Sequence, residues 1–190
     1  MGLVKGFIPY LVYGFAAGFL GWRAGAVTAM VCGIVLLTYE LIRGTPAAAQ
    51  ILEVSSIVYF LGLATVAFLD SNSPIEGYQS PLSFWWLALT AGGSLVVGQP
   101  FTLPIAKLQT PREFWHMPEF TKVSVNIAAV WTAAFVFLAI ALTVCFVVDA
   151  SPAVDGTIHV LGLAVPIVVT VVYPKRAQAR LQASLTSVNG

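Results

Sequence analysis

Six nearly unbroken apolar stretches run along the chain: Phe7 to Trp22, Ala24 to Ile42, Ile51 to Leu69, Leu82 to Gly98, Val125 to Val148 and Thr157 to Tyr173. Each approaches the ~20 apolar residues that a helix needs to cross a hydrocarbon layer about 30 Å thick. The pattern predicts an all-α fold, a polytopic membrane helix bundle of about six transmembrane helices. Only "RAG" joins the first stretch to the second. That spacing predicts a tight helical hairpin, which either spans the bilayer or dips in and returns; spanning is the expected form.

Composition supports the membrane reading. Of 190 residues, 58% are hydrophobic and 9% charged, against about 25% charged in an average soluble domain. So little charge cannot cover a water-facing surface, and a bilayer must solvate most of the chain. A formal net charge of +1 argues against a nucleic-acid partner, which calls for clustered Lys and Arg on an exposed face. Lys5 before "FIPYLVYGFAAGFLGW" has the outline of a signal peptide. The run "AGAVTAMVCGIVLLTYELI" follows almost at once and calls for a partner helix. The segment is therefore expected to be retained, cleavage being the alternative.

Loop charge gives an independent reading of topology. With the N-terminus in the cytoplasm and six spans, eight of the nine basic residues fall inside: Lys5, Arg43, Lys107, Arg112, Lys122, Lys175, Arg176 and Arg180. Arg23 alone falls outside, where the loops carry Asp70, Glu76, Asp149 and Asp155. That asymmetry is the positive-inside rule. It predicts both ends inside, a single membrane-embedded domain over residues 1–176, and a flexible cytoplasmic tail over 177–190.

The segment "GQPFTLPIAKLQTPREFWHMPEFTKV", Gly98 to Val123, breaks the apolar rhythm. It holds four of the eleven prolines and five of the seventeen charged residues. On this threading it is the largest cytoplasmic loop. Pro100 and Pro104 are expected to end the fourth helix. "TPRE" reads as a helix start, with Thr110 capping, Pro111 in the first turn and Glu113 closing a capping box. Pro118 would stop that helix after about two turns, before the chain re-enters at Val125. The segment then forms a short interfacial helix. Phe114, Trp115 and Met117 meet the lipid boundary, while Arg112 and Lys122 face headgroups or water. A re-entry hinge is the plain reading. Beside it stands a docking surface built from Pro111, Arg112, Phe114, Trp115, Met117, Phe120, Lys122 and Trp131.

Candidate chemistry is sparse. The chain has no GxSxG, HExxH, P-loop, CxxC or GxGxxG, so no catalytic residue, cofactor or metal ligand is expected. Ionisable groups inside helices are functional candidates by default. Glu53, one turn into the third helix, is one, the plain alternative being a carboxylate reaching back to the interface near Arg43 or its own helix's amide end. Glu53, Gln99 and Asn126 would line a polar path if the protein were a transporter; otherwise Gln99 and Asn126 would hydrogen-bond across the fourth and fifth helices. Glu40 and Arg43 read as a surface pair. His159 near Asp155 reads as an interfacial ring bonded to a carboxylate or water, His116 as polar loop, and Cys32 and Cys145 as buried small apolar residues. Gly14, Gly18, Gly21 and Gly25, and Gly92, Gly93 and Gly98, give small-residue faces for close helix packing. Pro166 implies a kink.

The short "FIPYLVYGFAAGF" helix turning straight into a second, and "TPREFWHMPEFTKVSVN" leading into "AAVWTAAFVFLAIA", resemble the bacterial intracellular septation protein A family of small inner-membrane proteins. The likeness covers most of the chain as topology and is sharp over about thirty residues around the loop, where apolar patterning alone is uninformative. The spacing from Asn126 to Trp131 is stretched and the loop richer in proline, which suits a sister group. The resemblance implies a non-enzymatic protein of the bacterial cytoplasmic membrane, tied to envelope synthesis and division through other membrane proteins. The leading expectation is therefore a scaffold or accessory subunit, with lipid, other integral membrane proteins or further copies of itself as partners. A small transporter or channel is the alternative, and an integral-membrane enzyme acting on lipid a third.

Overall fold

The computed structural model describes residues 5–70 and 73–188, with side chains to residue 174. Among these residues all regular structure is helical. The α-helices are α1 (Ile8–Ile42), α2 (Ile51–Leu69), α3 (Ile75–Val96), α4 (Thr102–Lys107), α5 (Pro118–Val147) and α6 (Pro152–Val188). Short 3-10 turns occupy Ala47–Gln50 and Arg112–Phe114. Four helical stretches among the described residues are long and apolar enough to cross a membrane: Ile8–Ile42, Ala47–Leu69, Pro118–Val147 and Pro152–Pro174. The tail expected from residue 177 continues as α6 backbone to Val188, while residues 189–190 lie outside the described residues.

The chain forms two compact units, Met1–Thr90 and Ala91–Gly190. In the first, α1 is not one rod. Gly21 has φ 80° and ψ 162°, a conformation open essentially to glycine alone, and there the helix folds back on itself. Three contacts establish the fold-back. A Cβ on Gly25 would lie 2.9 Å from the Ala17 backbone nitrogen, and one on Gly33 would lie 3.7 Å from Pro9. Farther along, Lys5 forms an ion pair with Glu40. The expected hairpin is therefore present, but its turn comes at Gly21 rather than in "RAG". Arg23 and Gly25 already belong to the returning arm, because only Gly21 supplies the required positive φ.

The returning arm packs on α2. Trp22, Ala26 and Ala29 meet Tyr59, Phe60, Leu63, Ala64 and Ala67 in one buried cluster. Alanines on both helices allow that close approach, since small residues let helix backbones draw together. Gly33 serves the same end, because a Cβ there would lie 2.9 Å from Ile57. Gly14 and Gly18 do not, as nothing lies within 4 Å of a Cβ added at either. Their spacing is met without a packed neighbour among the described residues.

The second unit is organised on α5. Phe135, Leu138, Ala139 and Leu142 are fully or almost fully buried. Leu138 fills the space left by Gly162 on α6, where an added Cβ would collide with its side chain. Trp131 Nε1 donates to Thr170 Oγ1 at 2.9 Å, and Asn126 Nδ2 to the Tyr173 hydroxyl at 2.7 Å. Along these pairs residue numbers rise on α5 as they fall on α6, so the helices are antiparallel. α6 is peripheral in its unit. Only 6% of its most apolar window is buried, against 44% for the Ala47–Leu69 stretch. Val160, Leu161, Val165, Ile167, Val168 and Val171 are exposed. In water such a face would be unfavourable, at ~25 cal/mol for each Å² of apolar surface; in hydrocarbon it is solvated.

The linker from α3 to α5 departs from expectation in an informative way. α3 ends before Gly98, whose φ is 75°. Pro104 does not terminate a helix but sits in the first turn of α4, where a missing N–H removes no intrahelical bond. Pro118 likewise opens α5 instead of closing a preceding helix. Between them, the expected two-turn helix from Thr110 to Pro118 is a single 3-10 turn, and Thr110 makes no capping bond. Phe101 N–H donates to Ser94 Oγ at 3.1 Å, and Thr102 Oγ1 donates to the Ser124 carbonyl at 2.7 Å. The first bond ties the start of α4 to the end of α3, and the second ties it to the first turns of α5.

Candidate functional site

The linker gathers an aromatic–cationic cluster from residues that the packing of its unit does not consume. Pro111 is extended, with φ −54° and ψ 146°, and directs Arg112–Phe114 into their single turn. Trp115 Nε1 then donates to the Thr110 carbonyl at 2.9 Å, which fixes the indole. Two cations lie over that ring: Lys107 Nζ is 5.4 Å and Arg112 Cζ 5.7 Å from its centroid. Both are within the ~6 Å over which an aromatic quadrupole attracts a cation. Neither cation has a carboxylate within ion-pair distance among the described residues. Sequence reasoning named Arg112 and Trp115 but not Lys107, which α4 delivers. Pro111, Phe114 and Lys122 are exposed, and Met117 and Phe120 half-buried. Trp131 is no part of this surface. It is 4% exposed, with its ring 5.4 Å from that of Phe135, and it ties α5 to α6.

The three residues of the expected polar path fare differently from one another. Glu53 is 5% exposed in the first turn of α2, with Lys5 and Glu40 within electrostatic reach. It does not swing out to Arg43, whose guanidinium lies 4.5 Å above the Tyr39 ring. Glu40 in turn pairs with Lys5 and accepts from Thr45 Oγ1 at 2.8 Å, in place of the expected bond to Arg43. Gln99 is exposed, and Asn126 bonds to Tyr173 rather than to Gln99. Glu53 belongs to the first unit, and Gln99 and Asn126 to the second.

A polar network between α2 and α3 was not visible in the sequence. Ser55 Oγ shares a hydrogen bond with Thr90 Oγ1 at 2.6 Å and accepts from Trp86 Nε1 at 2.8 Å. Tyr59 and Ser83 share a bond of 2.9 Å. Serine, threonine and tryptophan within an apolar run are ordinary there, and only the interhelical register makes them partners. Close by, the hydroxyls of Tyr10 and Tyr13 are buried without partners among the described residues, as is the side-chain nitrogen of Gln50. The Tyr10 ring stacks on Tyr59 at 5.8 Å, and Tyr13 packs on Phe60 at 5.2 Å.

His159 Nδ1 bonds to the Asp155 backbone carbonyl at 2.8 Å, one turn back. His116 is exposed, Cys32 partly exposed and Cys145 buried. No group of three His, Cys, Asp or Glu side chains converges among the described residues. Comparison with known protein families, with curated proteins and with solved structures finds no match to this chain.

Proposed function

We propose that the protein is a multi-pass protein of the bacterial cytoplasmic membrane that acts by association, as a scaffold or accessory subunit for other membrane proteins. In this reading the two arms of α1, with α2, α3, α5 and α6, make six crossings with both ends inside. Glu40 lies 19 residues from Gly21 (40 − 21), or about 28 Å of helix, close to the hydrocarbon thickness. The Lys5–Glu40 pair then closes the hairpin at one interface. The observation that carries the association reading is the linker. Its indole is hydrogen-bonded in place, and Phe114 beside it is exposed, although the packing of the unit requires neither. Envelope or division processes are the setting that the resemblance to the septation protein A family implies.

Purification of the whole protein from native membranes in mild detergent tests the reading. A stoichiometric membrane partner is expected, and it should be lost on Phe114→Ala. A monomer without companion, or a partner indifferent to Phe114→Ala, refutes it. One observation favours the transporter alternative, the burial of Glu53 inside a candidate span. That version predicts solute or proton flux in proteoliposomes that Glu53→Gln abolishes.

A further inference from the structure

Lys107 and Arg112 are held over one indole with no carboxylate within ion-pair distance among the described residues. Two cations beside one indole and without an acidic partner offer an anion charge-assisted hydrogen bonds. Position specifies which anion. The apolar run of α5 begins at Val125, and the bond from Thr102 to the Ser124 carbonyl pins the first turn of α4 beside that boundary. The six residues of α4 extend about 9 Å, ending at Lys107 beside Trp115, three residues before α5 begins. The headgroup layer beyond the hydrocarbon is roughly 5–8 Å deep on each side. Lysine and arginine reach several Å along their stems while the charge stays in the polar layer. Tryptophan is favoured at the same depth.

We propose that Lys107, Arg112 and Trp115 form a binding site for the phosphodiester of an anionic phospholipid. The guanidinium offers two parallel N–H donors to phosphate oxygens, Lys107 adds a point charge, and the Trp115 ring keeps both from dispersing. Phe114, Met117 and Phe120 stay outside this site and remain for a protein partner. The site rests on the membrane placement proposed above but not on the existence of that partner, so purified protein in lipid alone tests it separately.

The test is native mass spectrometry of the full-length protein released from micelles holding equal phosphatidylglycerol and phosphatidylcholine. Wild type is expected to retain phosphatidylglycerol preferentially. Lys107→Gln with Arg112→Gln should lower that preference about 25-fold, from about fivefold per cation near an anionic surface. Arg43→Gln, which removes a single charge from the first unit, should change it by no more than the roughly fivefold of one interfacial cation. Trp115→Leu keeps both charges and removes only the platform, and should cost about fivefold. A double variant that keeps its preference, an Arg43→Gln effect as large as that of the double variant, or no effect of Trp115→Leu would each overturn the site. Displacement of the lipid by millimolar glycerol 3-phosphate would also overturn it, in favour of a soluble phosphate ligand.

Discussion

Gly25→Ala distinguishes a folded-back α1 from a continuous one by the sign of its effect. In a straight helix residues 17 and 25 would be eight apart, roughly 12 Å along the axis, and a methyl on Gly25 would meet no distant backbone. Alanine would then stabilise by about 1 kcal/mol, the ordinary difference in helix propensity. In the observed hairpin that methyl would lie 2.9 Å from the backbone nitrogen of Ala17 and 3.0 Å from its Cα. Backbone cannot rotate aside, so the arms must part, at an overpacking cost of about 1–3 kcal/mol. Set against the propensity gain, the variant should be destabilised by about 1 kcal/mol. Gly18→Ala is the internal control, since nothing lies within 4 Å of its added methyl and it should stabilise by about 1 kcal/mol. The assay is titration of the purified protein with sodium dodecyl sulfate in mixed micelles, followed by tryptophan fluorescence, to which buried Trp22 contributes. If Gly25→Ala shifts the midpoint upward as Gly18→Ala does, the hairpin is refuted.

Three further outcomes are expected in the same assay. Gly21→Ala puts a side chain at φ 80° and ψ 162° and should cost about 1–3 kcal/mol; a neutral result would mean that the turn lies elsewhere. Trp131→Phe removes the bond to Thr170 and should cost about 0.6 kcal/mol plus lost packing, so an unchanged midpoint would deny that bond a role in joining α5 to α6. Tyr13→Phe deletes a hydroxyl that is 7% exposed at residue level and has no partner among the described residues. It should raise stability by about 1 kcal/mol, and a clear loss would show that the hydroxyl is satisfied in the native protein.

The helices were legible in the sequence because each apolar residue adds its own transfer free energy, so a run announces itself without knowledge of its neighbours. The hairpin was legible from its short connection, but its turn was misplaced. Gly21 and Gly25 look alike in the sequence, and only packing separates the one that bends from the one that touches Ala17. Prolines in the linker were misread for a related reason. Pro104 and Pro118 prevent a helix from extending through them toward its C-terminus, yet suit its first turn, and composition does not say from which side the helix arrives. Contacts between distant residues were least visible. Lys5 displaces Arg43 as the partner of Glu40, Tyr173 displaces Gln99 at Asn126, and Lys107 joins Trp115. Each depends on chain reversals that no local window contains.

The reversal at Gly21 also bears on biosynthesis. A segment that goes in and comes back returns the chain to the leaflet it left, whatever depth it reaches. On the membrane placement proposed above, the orientation of everything after Ile42 is thereby uncoupled from how completely the two arms of α1 insert. On the same placement the two arms would enter the lipid as one unit, their polar ends held together by the Lys5–Glu40 ion pair.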